Sequence, residues 1–132
     1  MSYYTDENAP MLNAMVGKTI INIEGKVGEE RIVFFMEDGK KYVMLHHDDC
    51  CEYVRVEDII GDLGDLIGSP LLAAEESTSR IGPDGKVLDG SNCESATWTF
   101  YKFATLKGYV TIRWLGESNG YYSESVSMEE IT

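Results

Sequence analysis

Arg31-Ile32-Val33-Phe34-Phe35-Met36, then Glu37-Asp38-Gly39-Lys40, then Lys41-Tyr42-Val43-Met44-Leu45-His46: the reading of this stretch decides the fold. Its two flanking runs are rich in β-branched and aromatic residues, which suit a pleated, half-buried surface. Asp-Gly between them is a favoured two-residue hairpin turn, because type I′ geometry requires positive φ at both positions. Such a turn pairs Phe35 with Tyr42, Phe34 with Val43, Val33 with Met44 and Ile32 with Leu45. Both faces of the hairpin are then apolar, so the pair belongs in the middle of a sheet covered on both sides, by helix, loop or a second subunit.

Toward the N-terminus, residues 1–14 read as a partly loose segment. Within it, Pro10 opens a short helix with Met11, Leu12, Met15 and Val16 on one side, and Gly17 ends that helix. Thr19 to Glu24 reads as a strand with Ile21 and Ile23 on one face and Ile20 on the other. Past the hairpin, Tyr53 to Val56 forms a short strand that leads into a helix over residues 58–67. In that helix Ile59, Leu63, Leu66 and Ile67 recur at helical spacing, and Asp58, Asp62 and Asp65 share another face. Gly61 and Gly64 each weaken it by about 1 kcal/mol relative to alanine, so it depends on packing.

Leu71 to Glu76 reads as a further strand. Residues 77–94, with turn signals at Pro83-Asp84-Gly85 and Asp89-Gly90, read as a long flexible loop. The C-terminal part reads as a meander of Ala96 to Leu106, Tyr109 to Leu115 and Tyr121 to Met128. A two-residue turn at Lys107-Gly108 sets Tyr101 opposite Trp114, Phe103 opposite Ile112 and Thr105 opposite Val110. A two-residue turn at Asn119-Gly120 would set Val126 opposite Arg113, so a longer loop or a bulge is expected near Gly120. The expected fold is one α+β domain over residues 1–132: an antiparallel, hairpin-rich β-sheet with one or two short helices packed on it.

The chain has 132 residues, 43% of them apolar and 11% aromatic, enough for a buried core. Twenty-three acidic residues against eleven basic ones give a net charge of −12, which disfavours direct binding to nucleic acid or to an anionic membrane surface. Half of that charge lies between Asp48 and Asp65, where seven acidic residues face Arg55 alone. The sequence shows neither an apolar run of about 18 residues nor a basic, apolar leader, so a cytoplasmic protein is expected. Cys50, Cys51 and Cys93 are odd in number, and two are adjacent, which fits reduced thiols.

Two clusters draw attention as candidate sites. His46-His47-Asp48-Asp49-Cys50-Cys51-Glu52 contains only metal-ligating residue types, but no Cys-x-x-Cys or His-Glu-x-x-His spacing accompanies it, so no metal is expected. A thiolate in so acidic a stretch is not stabilised, which argues against a Cys/His nucleophile. The second cluster is aromatic. Trp98 and Phe100 fall on the face opposite Tyr101 and Phe103, Lys102 and Arg113 interrupt apolar strands, and Tyr121-Tyr122 follows a glycine turn. Flat rings beside a guanidinium can sandwich a base or another planar ligand. P-loop, Gly-x-Ser-x-Gly and Gly-x-Gly-x-x-Gly patterns are absent, so no catalytic residue and no cofactor is expected.

Three stretches stand out together: His46-x-x-Asp49-Cys50-Cys51-Glu52 running into Glu57-Asp58-Ile59-x-Gly61-Asp62-Leu63-x-Asp65-Leu66-Ile67-Gly68-x-Pro70; Trp98-Thr99-Phe100-Tyr101-Lys102-Phe103-Ala104-Thr105; and Ile112-Arg113-Trp114-x-Gly116-x-Ser118-Asn119-Gly120-Tyr121-Tyr122-Ser123-Glu124. In them the chain resembles a family of small phage and prophage proteins known as a domain of unknown function, over most of residues 15–131. The resemblance implies a mobile-element setting, in which small accessory proteins often block host defences. Two functions are therefore expected as alternatives. The first is a binding protein that sequesters a small nucleotide-like signal through His46, Asp49, Cys50, Glu52, Trp98, Lys102, Arg113, Tyr121 and Tyr122, with the two-faced hairpin inviting a homo-oligomer. The second is an acidic inhibitor that meets a basic host protein surface through Asp58, Asp62 and Asp65.

Overall fold

The computed structural model describes residues 8–47, 52–79, 95–118 and 124–131. Its elements are helix α1 (Ala9–Met15) and strands β1 (Ile20–Glu24), β2 (Arg31–Met36), β3 (Lys41–Leu45), β4 (Tyr53–Ile60), β5 (Ala73–Ser79), β6 (Ser95–Thr105), β7 (Gly108–Ser118) and β8 (Ser127–Ile131), with a 3-10 turn at Leu63–Leu66. The hairpin-rich antiparallel character is as expected. The strands, however, form two four-stranded sheets, ordered β1-β2-β3-β8 and β4-β7-β6-β5. The helical share of the expected α+β domain is the seven-residue α1 and that single turn.

One core joins the two sheets. Ile20, Ile32, Phe34, Met36, Tyr42, Met44 and Met128 from the first meet Val54, Val56, Tyr101, Phe103, Val110, Ile112 and Trp114 from the second. Phe34 and Phe103 touch across the gap, their ring centroids 5.5 Å apart. Strands β2 and β3 are central in their sheet, where two apolar faces would place them.

The register of that hairpin is one residue away from the expectation. Phe34 pairs with Tyr42, Val33 with Val43 and Ile32 with Met44. The turn holds three residues: the Met36 amide donates to the Lys40 carbonyl at 2.9 Å, and the Gly39 amide to the Met36 carbonyl at 3.1 Å. Gly39 alone takes positive φ, at 90°, the arrangement of a three-residue loop with a glycine bulge rather than a type I′ turn. The Asp38 carboxylate supports it by accepting from the Lys40 amide at 3.0 Å. A one-residue slip exchanges partners across the strand pair: Phe35 now lies beside Lys41 on the outer face, while Tyr42 joins Phe34 inside.

At the second hairpin the turn is Leu106-Lys107, so Tyr101 faces Ile112, Phe103 faces Val110 and Thr105 faces Gly108. A two-residue shift keeps every side chain on its expected face. Gly108 opens β7 opposite Thr105, with φ of 154°, and a Cβ there would lie 3.2 Å from an Asp65 carboxylate oxygen. Lys107 Nζ donates to the Ile67 carbonyl at 2.6 Å, fixing the turn against the 3-10 segment.

Three further expectations are corrected. The helix over residues 58–67 does not form. Strand β4 runs on through Ile59 and Ile60, paired with Ile112 and Thr111, after a bulge at Glu57. Gly61 then takes φ of 107° where a Cβ would sit 2.7 Å from the Tyr109 carbonyl, which only glycine permits. The C-terminal meander stops at two strands, because β8 crosses to the other sheet and pairs with β3, Met128 opposite Met44. In β1 a bulge between Ile20 and Asn22 turns both Ile20 and Ile23 inward and leaves Ile21 exposed.

The short helix expected at Pro10 is α1, and residues 1–7 lie outside the described residues. Buried Asn8 donates to the Val126 carbonyl at 2.8 Å and to Glu76 at 2.6 Å, and accepts from the Met128 amide at 2.8 Å. Of the expected loop at 77–94, Ser77 to Ser79 belong to β5, and residues 80–94 lie outside the described residues.

Candidate functional site

Alternation along the strands gives each sheet an inner face toward the core and an outer face, and the two outer faces differ in chemistry. On the second sheet, Arg113 lies between Asp58 of β4 and Phe100 of β6, and Leu115 lies between Arg55 and Trp98. The Glu57 bulge brings a second carboxylate within reach. Arg113 Nε donates to Glu57 Oε1 at 2.6 Å and Nη2 to Asp58 Oδ2 at 3.3 Å. The same guanidinium lies 5.6 Å from the centre of the Trp98 ring.

Trp98 is only 7% exposed and forms a small cluster with Ala96, Leu115 and Phe100. Arg55 repeats the pattern: it reaches Glu117 at 2.5 Å and sits 4.4 Å over the Tyr53 ring. Trp98, Lys102 and Arg113 thus share one face, as their spacing predicts. Here, though, the ring is covered by the arginine beside it, and the arginine is neutralised by two carboxylates. Lys102 stands exposed between Glu75 and Thr111.

His46 and Glu52 meet. Their side chains are 4% and 0% exposed, with Nε2 2.8 Å from Glu52 Oε2. The other ring nitrogen, Nδ1, lies 2.7 Å from the Ser125 carbonyl, which can only accept, so Nδ1 carries a proton. His47 points elsewhere and pairs with Glu129. Asp49, Cys50, Tyr121 and Tyr122 lie outside the described residues. Among the described residues no group of three or more His, Cys, Asp or Glu could hold a metal ion.

The three aspartates expected on one helical face are used separately. Asp58 pairs with Arg113, Asp62 caps the 3-10 turn by accepting from the Gly64 amide at 2.9 Å, and the Asp65 carbonyl accepts from the Thr105 hydroxyl. Inside, the Tyr101 hydroxyl donates to Glu76 at 2.5 Å and receives Asn8 at 3.1 Å. Burial, and then the nearby Glu76 carboxylate, push the Tyr101 pKa well above 10.0, so it is a structural donor rather than an acid.

The outer face of the first sheet carries the feature that sequence reading missed. An open groove of about 440 Å³ is lined by Glu24, Gly25, Glu29, Arg31, Val33, Phe35, Lys41 and Ile131. Its floor is apolar and its rim holds two cations and two carboxylates. Lys41 Nζ lies 5.3 Å from the centre of the Phe35 ring, a neighbourhood created by the register slip. The segment bearing Glu29 is tied to β4 by two backbone hydrogen bonds of 2.8 Å, the Gly28 amide donating to the Val56 carbonyl and the Val56 amide to the Glu29 carbonyl. Neither Arg31 nor Lys41 has a carboxylate within ion-pair range among the described residues. The available signal was the second apolar face of the hairpin, bounded by a basic residue at the start of each strand.

Residues 13–128 match the family described as Domain of unknown function (DUF7448). No curated protein and no solved structure matches the chain. Among the described residues no helix is long and apolar enough to cross a membrane.

Proposed function

The chain belongs to the DUF7448 family, and from that premise we propose that it is a non-catalytic binding protein holding a small planar anion of nucleotide type in the groove of the first sheet. The observation that carries this reading is a pair of cations lining one groove, Lys41 beside Phe35 and Arg31 farther along the same strand pair, that have no ion pair among the described residues of a chain whose net charge is −12. Among the described residues Arg55 and Arg113 are ion-paired, whereas Arg31 and Lys41, like Lys26, Lys102 and Lys107, are not; Arg31 and Lys41 differ from those three in lining one groove. Two such cations lining one concavity support the reading that an anion is accommodated there. A ring can lie against Phe35 and Val33 with Lys41, paired with Phe35 across the strands, facing the charged group, and with Arg31 at the other end of the floor.

The groove volume is within the usual range for small-molecule sites, about 300–1,000 Å³. Sequestration needs no reacting group, and it suits an accessory protein of a phage or prophage that lowers the level of a host defence signal. The second sheet offers less, because Arg113 is neutralised and Trp98 is covered.

Titration of the ¹⁵N-labelled protein with adenosine 5′-monophosphate and with adenosine 3′,5′-cyclic monophosphate tests the reading. Amide shifts are expected at Glu24, Glu29, Arg31, Val33, Phe35 and Lys41, saturating at one ligand per chain, and Lys41→Gln should abolish them. Shifts confined to the Trp98 and Arg113 face, or no shifts with either compound, overturn it.

A further inference from the structure

The charges around the groove set a limit on the ligand, given that the groove is the binding site. Arg31 and Lys41 supply two positive charges at its rim, and Glu24 and Glu29 supply two negative ones. The rim is therefore neutral in total, and the body behind it carries −12. Lys41 pairs with Phe35 and Arg31 with Leu45, so the two cations stand four residues apart along the hairpin, about 13 Å, and an anion beside Phe35 gains chiefly from Lys41. Further negative charge reaching along the groove toward Arg31 meets Glu24, opposite Val33, and Glu29, two residues before Arg31, and the field of the whole chain adds to the repulsion within a screening length of about 8 Å.

We infer that the groove selects planar ligands of single negative charge over those carrying two or more. The class that fits is an aromatic ring with one buried-type anion, a phosphodiester or a carboxylate, rather than a terminal phosphate or a polyphosphate. Glu24 and Glu29 are the specificity-determining residues, and both are exposed, so they are free to act on the ligand rather than on the fold. Their role differs from that of Arg31 and Lys41: the cations provide affinity, and the carboxylates provide discrimination by repelling the more highly charged competitor.

The test is calorimetric titration of the wild-type chain with four probes at one ionic strength and without divalent ions: adenosine, adenosine 3′,5′-cyclic monophosphate, adenosine 5′-monophosphate and adenosine 5′-triphosphate. The cyclic monoanion should bind tightest, with affinity falling roughly threefold for each added negative charge, as expected for charges about 7 Å apart in a water-like dielectric. Affinity that rises with ligand charge overturns the inference while leaving the groove as the binding site. Failure of all four probes to bind removes both readings.

The double variant Glu24→Gln, Glu29→Gln gives the second arm. It should bring the ratio of cyclic monophosphate to triphosphate affinity close to one, and an unchanged ratio refutes the assigned role of the carboxylates. Indole-3-acetate, a planar carboxylate of the same charge, separates the two sources of the anion. Tighter binding of indole-3-acetate assigns a carboxylate, tighter binding of the cyclic nucleotide assigns a phosphodiester, and either result keeps the single charge.

Discussion

The two outer faces are built from the same materials, aromatic rings and basic residues on antiparallel strands, yet they differ in what their charges do. On the second sheet Arg113 and Arg55 are each tied to carboxylates of neighbouring strands and laid over rings of the same face. On the first, Lys41 lies beside the Phe35 ring, but among the described residues neither it nor Arg31 is ion-paired to a carboxylate, and both line a concavity. The first arrangement fastens strands together; the second leaves interaction energy available to a ligand. The difference teaches that an arginine beside a tryptophan says little about binding until its counter-charges are located.

Removing a charge from each face is the strongest way to break this contrast. Arg113→Ala should lower stability by about 2 kcal/mol, between the roughly 3–5 kcal/mol of a broken buried pair and the 0–1 kcal/mol of an exposed one. The intermediate value follows from a side chain that is 15% exposed against carboxylates that are 33% and 45% exposed. The loss has two parts, repulsion between Glu57 and Asp58 and the uncovering of Trp98. Adding Glu57→Gln and Asp58→Asn should restore the first part. Urea denaturation reads the effect, and a loss below about 0.5 kcal/mol would make this face no more structural than the other.

The interior side of the second sheet gives the next effect. Tyr101→Phe deletes the donor to Glu76 and should cost about 1 kcal/mol at neutral pH. Because the folded-state pKa of Tyr101 lies above 10.0, the stability it contributes is fully present below pH 10 and is lost as the pH rises from there toward the folded value. The wild-type chain should therefore lose more stability than Tyr101→Phe between pH 9 and pH 11. Parallel curves for the two proteins would show that the hydroxyl is not held in its neutral form by the fold.

These contrasts were only partly legible in the residues. Strand periodicity and turn dipeptides located the hairpins, since both signals are local. They did not separate a two-residue from a three-residue turn at Asp38-Gly39, because both geometries favour a glycine with positive φ there. That single slip hid the pairing of Phe35 with Lys41, and with it the groove. The apolar spacing of Ile59, Leu63, Leu66 and Ile67 imitated a helix, whereas the close approach of Gly61 to the Tyr109 carbonyl comes from a strand some 50 residues away. Pairing of β8 with β3, and of Arg113 with Glu57, likewise depends on partners more than 50 residues distant, for which one sequence carries no local sign.

A smaller effect concerns the one firmly paired charge at the tip of the first sheet's hairpin. Asp38 accepts from the Lys40 amide and then from Lys18 Nζ at 3.0 Å, which lowers its pKa below 3.8. Its contribution is present above the ordinary carboxylate range and is lost as the pH falls through the depressed value. A carbon-detected titration should place the Asp38 midpoint below those of unpaired aspartates, and Lys18→Met should move it up. An unmoved midpoint would leave the Lys40 amide as the whole cause and make even this pair dispensable.

The smallest change in stability is expected where the largest change in binding is expected. Arg31→Gln and Lys41→Gln should each shift the unfolding free energy by less than about 0.5 kcal/mol, since both residues are exposed and the contact of Lys41 with Phe35 is of the weak, solvated kind. The same variants should lose the amide shifts that a nucleotide probe induces at Val33 and Phe35. The two measurements must diverge for the contrast between the faces to hold. If Lys41→Gln instead destabilises the chain by more than about 1 kcal/mol, the ammonium is fastening the first sheet as Arg113 fastens the second, and the groove has no spare cation to offer.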